Sequence, residues 1–245
     1  MRLLLAALCA AQGLHGQLYE VLKSADIDAG LRNLQASTIL YRGSGYTVSL
    51  ESRSAGANLT DDDASQILSI RGGTGVIRLG LYRHNIGAGD IVRIGRRYGC
   101  QLESGQISFV LLRMLPGSGP KNVWPLLPAV LRASEMVAAA ESGGELPHGM
   151  EKHIAFDEEF AETYLFCESN CPPWHLHQDQ AQIYFVQSGT AIIGLGGQLV
   201  DEFAAGFRSY AVGPGDVLMI PANTPHSVDN RGKGFSYLLA AIFVK

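Results

Sequence analysis

The sequence lacks any run of about 18 consecutive apolar residues, the length that a membrane-spanning helix requires. It also lacks a surplus of positive charge: 19 lysines and arginines stand against 23 aspartates and glutamates, which gives a formal net charge of −4 at pH 7. Proteins that bind nucleic acid or an anionic membrane surface usually carry a concentrated basic patch. We therefore expect neither nucleic acid nor a membrane as a partner.

Cysteine is scarce, with four in 245 residues. Cys167 and Cys171 are close in sequence at the end of a predicted strand, but an extended segment would hold their α-carbons too far apart for a disulfide. They can pair only if the chain turns at residues 168–170, and buried free thiols are the simpler expectation. The cysteine count by itself does not fix the redox compartment.

The segment 1–16 is typical of a secretory signal peptide: one arginine, a short apolar run, then small and polar residues. This predicts export, with a secreted or periplasmic mature protein and cleavage near Gly16. Cys9 follows Leu8, whereas a lipoprotein signal needs a small residue directly before its cysteine, so we expect no lipid anchor. The alternative is an N-terminal helix that packs on the folded domain.

The chain contains an internal repeat, which indicates a duplicated domain. Gln66–Gly80 aligns with Gln182–Gly196 at an offset of 116 residues, and Gly87–Ile94 aligns with Gly213–Ile220 at an offset of 126. The second copy is therefore longer by ten residues, which lie within 198–210.

Each copy is predicted to be a β domain that follows a short helix. Ser24 and Ser134 lie at similar positions upstream of the strands, and serine is a favoured N-cap residue. Within each copy, short runs rich in β-branched and aromatic residues alternate with turn residues, a pattern typical of a sandwich or a closed barrel. The Pro- and Gly-rich stretch 116–128 is the expected connector.

Three histidines in the second copy have the spacing of a metal site. His175 and His177 are separated by one residue, so on a strand both side chains point to the same face. Gln182 begins the alternating strand pattern QIYFV, and His226 follows the apolar run VLMIP. Three imidazoles and one amide oxygen that converge inside a barrel would bind a divalent transition metal (Zn, Ni, Mn or Fe). Ordinary surface or buried histidines are the alternative.

These residues resemble the two sequence motifs of the cupin family. The first reads H-x-H-x4-Q-x6-G from His175 onwards, with Ser169 in place of a leading glycine. The second reads G-x5-P-x-N-x2-H-x3-N from Gly215 onwards. The family usually has glutamate where this chain has Gln182 and glycine where it has Asn223. Asparagine tolerates the left-handed conformation that glycine supplies, so the second departure is mild.

The resemblance implies an all-β fold of two tandem cupin jelly-roll barrels (double-stranded β-helices), each preceded by a short helix. The implied division comprises a signal peptide, an N-terminal barrel that lacks metal ligands, a linker, and a C-terminal barrel with the metal site, at residues 1–16, 17–115, 116–133 and 134–245. Cupins often associate through sheet edges or barrel faces, so the resemblance implies either a homodimer or an internal pseudo-dimer of the two barrels.

The first copy has no histidine at the motif positions. If one residue of slippage is allowed, the four positions carry Asn58, Thr60, Gln66 and Cys100. Neutral oxygens and a single thiol are poor partners for a transition metal. The first barrel is therefore predicted to be structural, and the second to hold the single metal.

Gln182 changes the chemistry expected of the metal. A glutamate ligand would lower the charge of a divalent site to about +1, whereas an amide leaves about +2, so the metal is a stronger Lewis acid and attracts anions more strongly. The amide also cannot carry protons as a carboxylate can. These properties favour non-redox chemistry of the lyase, isomerase or cyclase type on a small carboxylate-bearing molecule, and cupins with glutamine here include such members. Water in the place of Gln182 is the alternative.

Three further side chains are candidates around the metal. By alternation Tyr184 shares the inward face with Gln182, and its phenol is either an acid or base or a core residue. Trp174 is either a wall of the substrate pocket or a packing anchor. Arg208, in the longer segment of the second copy, either meets a substrate carboxylate in a bidentate pair or belongs to a surface loop.

The sequence leaves the function open between three classes. The first is an exported metal-dependent enzyme that acts on a small polar molecule. The second is a non-catalytic cupin that binds or senses a small ligand, and the third is an iron-dependent dioxygenase. The sequence does not identify the substrate, because jelly-roll barrels host many unrelated reactions.

Overall fold

The computed structural model describes residues 20–34, 37–115, 129–132, 134, 150–156, 160–167, 173–200, 203–231 and 235–243. Its strands in chain order are β1 (Glu20–Leu22), β2 (Ser37–Gly43), β3 (Tyr46–Ser54), β4 (Ser65–Leu79), β5 (Tyr82–Gly87), β6 (Ile91–Ile94), β7 (Cys100–Met114), β8 (Ala129–Leu131), β9 (Met150–Phe156), β10 (Phe160–Cys167), β11 (Gln180–Gly189), β12 (Ala191–Leu195), β13 (Gln198–Val200), β14 (Phe203–Ala205), β15 (Arg208–Val212), β16 (Val217–Ile220), β17 (His226–Asp229) and β18 (Phe235–Phe243). The helix α1 is Ser24–Arg32. The predicted all-β class is confirmed, and no helix in this part of the chain is long and apolar enough to cross a membrane.

The strands form separate sheets in the first half (37–114) and the second half (150–243). In the first half one seven-stranded sheet has the order β2-β3-β7-β4-β6-β8, with β5 paired to β4. In the second half a six-stranded sheet has the order β1-β16-β11-β18-β10-β9, a three-stranded sheet has the order β15-β12-β17, and β13 and β14 form a hairpin.

Alternation along the strands sorts the apolar residues into three cores. In β11, Ile183 and Phe185 belong to one cluster, while Tyr184 and Val186 belong to another. Successive side chains on a strand point to opposite faces, so each face of the large sheet is buried against a different partner. One inner core lies within each half, and a third core is shared between the halves.

The shared core joins the outer faces of the two large sheets. It contains Val48, Ile67 and Leu112 from the first half and Ile183 and Met219 from the second, all at most 2% exposed. Complete burial of one such side chain contributes about 1.5–3 kcal/mol. The halves are therefore packed face to face through apolar side chains.

Each half also receives one strand from outside its own range. β1 pairs with β16 of the second half, with Leu22 opposite Val217. β8 pairs with β6 of the first half, with Leu131 opposite Ile91. β8 falls in the stretch 116–133 that the sequence suggests is a linker, and β1 falls in the range given to the N-terminal barrel. Each strand thus joins a sheet outside the segment to which the sequence assigns it. The division into domains stays a prediction.

A basic residue follows each of these two strands. It pairs with the aspartate that directly precedes the neighbouring strand, β16 or β6. Lys23 Nζ donates to Asp216 Oδ2 at 2.6 Å, and Arg132 Nη1 donates to Asp90 Oδ2 at 3.0 Å. The two aspartates end the repeated Gly-x-Gly-Asp turn. Each also accepts the backbone N–H of the residue three positions earlier, at 3.0 Å. The sequence repeat is therefore matched by a repeat of polar contacts. In each half, the basic residue that follows the added strand binds the aspartate of the Gly-x-Gly-Asp turn.

Asp216 caps helix α1. The N-cap position is Lys23, which makes no side-chain capping hydrogen bond, and the Ser24 backbone N–H donates to Asp216 Oδ1 at 2.7 Å. The prediction that Ser24 is the cap is wrong: Ser24 is the first helical residue, and a carboxylate from the distant turn satisfies the free N–H. A negative charge there also complements the helix dipole.

Several sequence-based expectations concern residues outside the described ones. These are the signal peptide at 1–16, the connector at 116–128, Cys171, and the body of the second predicted helix, of which only Ser134 is described. They stay predictions.

We predict that Asp216→Asn lowers the free energy of unfolding by about 2 kcal/mol, because it removes a helix cap and leaves Lys23 without its carboxylate. Asp90→Asn, at the matching turn, should have a similar effect. The control is Asp62→Asn, an exposed site expected to change stability by less than about 0.5 kcal/mol. Urea denaturation provides the measurement. Equal stability of the Asp216 and Asp62 variants would contradict the role given to this contact.

Candidate metal centre

Three histidines converge at one end of the inner core of the second half. His175 forms an isolated antiparallel bridge with His226, with reciprocal backbone hydrogen bonds of 3.0 and 2.8 Å. His177 follows two residues later on the same segment. One ligand atom from each ring lies within 4.8 Å of the others. The structure thus brings together the three histidines that the sequence singles out.

Backbone carbonyls fix the tautomers of two of these rings. His175 Nδ1 lies 2.7 Å from the carbonyl oxygen of Pro173, and His226 Nδ1 lies 2.9 Å from that of Thr224. A carbonyl oxygen only accepts hydrogen bonds, so each Nδ1 carries a proton, and in the neutral ring the lone pair is then on Nε2. Metal-binding histidines are commonly oriented in this way.

The Nε2 atom of His226 is the observation that tests whether a metal fits. This atom is buried and has no hydrogen-bond partner in the described part of the protein. Such an atom costs about 1–3 kcal/mol unless something satisfies it. A cation bound between the three rings would do so, and imidazole nitrogen suits Zn, Ni and Fe. The residues present therefore fit a divalent transition metal.

The electrostatics keep two of the imidazoles neutral. Burial, with a smaller contribution from His175, lowers the pKa of His226 to about 3. Burial and His175 also lower the pKa of His177 below its ordinary value. Neutral imidazole is the form that binds metal, so these rings need not lose a proton at neutral pH.

Gln182 faces the same inner core as the histidines. It lies opposite Ile220 on β16 and Ala241 on β18, whose side chains belong to that core, and it is 5% exposed. Tyr184 Oη donates a hydrogen bond to Gln182 Oε1 at 2.8 Å. An amide oxygen has two lone pairs, so this contact orients the oxygen and leaves one pair for a second partner.

Tyr184 lies deeper in the core than Gln182. Its ring is 2% exposed and stacks on Tyr237, with centroids 4.4 Å apart and an interplanar angle of 21°. Its hydroxyl donates a hydrogen bond to Gln182, so Tyr184 positions the Gln182 amide. The role of acid or base that the sequence suggests for Tyr184 stays a prediction.

Trp174 packs on the face of β12 away from the histidines. A Cβ atom added to Gly194 would lie 2.5 Å from the Trp174 ring. Leu195, the next residue, faces the inner core opposite His226. The Trp174 ring also lies 4.6 Å from the ring of Phe207. The structure therefore places Trp174 as an anchor of the histidine segment and does not bring it into the histidine cluster.

Arg208 begins β15 in the same cross-strand row as His226. Leu195 lies opposite both Arg208 and His226, on its two sides. Residues directly opposite each other on neighbouring strands point to the same face. The exposed Arg208 therefore starts from the face that carries His226, at the rim of the inner space, and its contact with a substrate carboxylate stays a prediction.

The first half carries Cys100 at the position of His226. Leu79 and Leu195 correspond through the sequence repeat, and their cross-strand partners are Cys100 and His226. The Cys100 thiol is buried, and this burial raises its pKa to about 12. Cys100 therefore remains a thiol at neutral pH, as a core residue would.

Asp61 takes the position of His177. The Arg97 N–H donates to the Asp61 carbonyl at 2.8 Å, as the Asn223 N–H donates to the His177 carbonyl at 2.7 Å. Arg97 and Asn223 also share a left-handed backbone, with φ of 63° and 61°. Asparagine thus supplies at Asn223 the conformation for which the family motif uses glycine.

Leu59 takes the position of His175. The Leu59 N–H donates to the Cys100 carbonyl at 2.9 Å, as the His175 N–H donates to the His226 carbonyl. The assignment of Asn58 and Thr60 to these places is therefore wrong. The offset of 116 residues holds without slippage, because Asp61 and His177 each precede their glutamine by five residues.

An ion pair occupies this place in the first half. Arg113 donates to Asp61 through Nε to Oδ2 at 2.5 Å and through Nη2 to Oδ1 at 3.2 Å. Burial acts to raise the pKa of Asp61, but the hydrogen bonds from Arg113 and two backbone N–H groups hold it below its ordinary value. Gln66 Nε2 donates to the Leu59 carbonyl at 2.9 Å. The constant offset of 116 residues makes the place of Asp61 visible in the sequence, whereas Arg113 corresponds to Ala241 at an offset of 128 residues and is found only from the strand register.

Among the described residues, the three histidines are the one group of three or more His, Cys, Asp or Glu side chains whose ligand atoms converge. The counterparts in the first half are an apolar residue, a carboxylate paired with arginine, an amide bonded to backbone and a protonated thiol. This supports a structural first half and a single metal centre in the second.

Comparison with known proteins agrees with this picture. Residues 170–242 match the family model of the cupin domain, and no curated protein matches the sequence. The chain is similar to the Cupin 2 conserved barrel domain protein from Leptotrichia buccalis, with 14% identity, a TM-score of 0.60 and coverage of 95% of this chain and 99% of that chain.

Two enzymes show the same fold at low identity. Salicylate 1,2-dioxygenase from Pseudaminobacter salicylatoxidans is 8% identical, with a TM-score of 0.61 and coverage of 94% of this chain and 86% of that chain. The formate complex of oxalate decarboxylase from Lactobacillus farciminis is 12% identical, with a TM-score of 0.52 and coverage of 95% and 88%. These likenesses show the fold alone. The match to the cupin domain covers residues 170–242, the part of the second half that carries the three histidines, and the chain as a whole has the fold of the cupin proteins it resembles.

Proposed function

We propose that the second half binds one divalent transition metal through His175, His177 and His226. The observation that carries this proposal is the buried Nε2 of His226, which has no partner in the described residues and faces two further imidazoles. Gln182 supplies a fourth donor through Oε1, or holds a water in that place. The bound metal would act as a Lewis acid that polarises a substrate oxygen.

We further propose non-redox chemistry on a small carboxylate-bearing molecule, of the lyase, isomerase or cyclase type. No Asp or Glu among the described residues joins the histidine group, so the ligand set is neutral and the full positive charge of the metal remains to attract an anion. A neutral set also gives no help to a metal that must reach a higher oxidation state. Arg208 at the rim would meet a second acidic group of the substrate.

The protein residues divide the remaining work between them. Tyr184 fixes the Gln182 amide by donating a hydrogen bond to Oε1, and Trp174 holds the histidine segment on β12. Apolar side chains of the inner core, among them Leu195 and Leu239, exclude bulk water from the buried side of the site. The low polarity of that wall strengthens every charge interaction in the centre.

A non-catalytic binding or sensing protein is the second candidate. Two observations favour it: the Tyr184 hydroxyl is engaged with Gln182, and no Asp or Glu ligand atom among the described residues converges with the three histidines. Turnover of small carboxylates separates the two candidates. An iron-dependent dioxygenase is the third, and oxygen uptake in the iron-loaded protein tests it.

We also propose export, from the signal-like segment 1–16. The N-terminal sequence of the mature protein, recovered from its native host, tests this proposal.

We predict that purified protein binds about one equivalent of Zn, Ni, Mn or Fe, as measured by elemental analysis after dialysis. His226→Ala and His177→Ala should each retain less than about a tenth of that amount, because two remaining imidazoles do not hold the ion. His84→Ala, a histidine on β5 of the first half, is the matched control and should keep the full amount.

Thermal unfolding gives a second readout of the same prediction. Excess metal should raise the Tm of the parent and the His84 variant, since a ligand that binds only the folded state stabilises it. The Tm of the His226 variant should not respond. A Tm response that survives both histidine substitutions would place the metal elsewhere in the protein.

We predict that Gln182→Glu tightens metal binding by at least about tenfold, because it adds a negative charge to a neutral ligand set. The same variant should bind acetate more weakly when loaded with metal, since the net positive charge is smaller. Gln66→Glu, at the same strand position in the first half, is the matched control. Calorimetric titration measures both affinities, and an equal response of the two variants would show that Gln182 does not face the metal.

We predict that Tyr184→Phe weakens metal binding by about three- to tenfold, because the Gln182 amide loses the hydrogen bond that orients it. The stability of the metal-free protein should fall by about 1 kcal/mol. A variant with unchanged metal affinity that loses turnover alone would instead identify Tyr184 as an acid or base.

A further inference from the structure

Ala241 in the second half corresponds to Arg113 in the first. Gln182 lies opposite Ala241 on β18, and Gln66 lies opposite Arg113 on β7. On both strands the two flanking residues face the shared core, so the side chains at 113 and 241 face the inner spaces of their own halves. One scaffold position thus carries a long cationic side chain in one half and a methyl group in the other.

The Arg113 side chain shows how much volume a side chain at this position can occupy. It extends from β7 to the carboxylate of Asp61, which stands where His177 stands in the second half. Arginine has about six non-hydrogen atoms beyond Cβ, of which about four form the planar guanidinium group. In the second half the side chain at this position is only a methyl group, so Ala241 itself does not fill the corresponding volume between β18 and His177.

The charges indicate the sign of that occupant. In the first half, an anion at the ligand position, Asp61, faces the cation of Arg113. In the second half, His177 would hold the proposed metal cation at the ligand position. Opposite charges attract strongly in a partly buried site, so the group across from that cation should be an anion.

We infer that the space in front of Ala241, bordered by His177 and Gln182, is the substrate pocket, and that it takes a carboxylate-bearing molecule of about six non-hydrogen atoms, the size of the Arg113 side chain beyond Cβ. Ala241 sets the upper limit on the size of the molecule. This inference rests on the proposed metal centre for the identity of the cation. The geometric part, in which a side chain at 241 reaches the residue at 177, stands without it.

Oxalate, a dicarboxylate of the required size, is the probe. It is titrated into the Co²⁺-loaded protein, and the visible spectrum of the metal reports its binding. Ala241→Leu should keep about one equivalent of metal and bind oxalate at least about tenfold more weakly, because the added side chain fills the pocket. Ala211→Leu, an exposed alanine on β15, is the control and should bind oxalate like the parent.

A pocket-enlarging variant covers the case in which Ala241→Leu does not fold. Ala241→Gly should bind oxalate within about threefold of the parent, but should bind malonate, which is one methylene group larger, at least about tenfold more tightly than the parent does. Equal oxalate affinity in the parent and Ala241→Leu, or equal malonate affinity in the parent and Ala241→Gly, would overturn the inference.

A metal-free measurement separates this inference from the proposed function. The double variant Ala241→Arg/His177→Asp rebuilds in the second half the ion pair of the first. Its Tm should recover at least about half of the loss caused by Ala241→Arg alone, because the two side chains interact. Recovery of Tm in a protein whose parent binds no metal would support the geometry and reject the metal proposal. A parent that binds metal and a double variant without recovery would reject the geometry.

Discussion

Burial of both faces of the large sheets is the constraint on which the rest of the structure depends. In β18 every residue but Ser236 is apolar, and the middle of β11 is the continuous run Ile183–Val186, so neither face of these strands can be left to water. One face closes on the inner core of its own half, and the other closes on the shared core. With the halves packed face to face, β1 and β8 lie close enough to extend the opposite sheets, and Lys23 and Arg132 meet their aspartates.

The two halves have similar strands but different side chains at the end where the second half carries its histidines. The first half places Asp61 against Arg113, so the charges cancel within the protein and the end is closed. The second half has His177 and Ala241 at these positions, a neutral ring and a methyl group in place of the ion pair. The buried Nε2 atom of His226, which has no hydrogen-bond partner among the described residues, is the atom that an external ion would satisfy. The two halves therefore differ at this end in the groups that the protein itself can satisfy.

The sequence predicted more of the site than of its surroundings. The spacing of His175, His177 and His226 sufficed because strand alternation and a fixed turn length determine which side chains share a face. The counterparts Leu59 and Asp61 were missed because chemical similarity to the ligands was preferred over an unbroken register. The cap of α1 was also missed, since Asp216 is far from Ser24 in sequence and only folding brings them together.

The sequence by itself determined the all-β class, the duplication, and a histidine set in one copy alone, because these follow from local periodicity and from spacing within single segments. Only the tertiary structure decided that Trp174 turns away from the histidines, that Tyr184 holds Gln182, and that Arg113 closes the first half. Each of these depends on which strands lie side by side and in which register. Register is fixed when buried faces of distant segments are matched in three dimensions, and no single stretch of sequence contains that information.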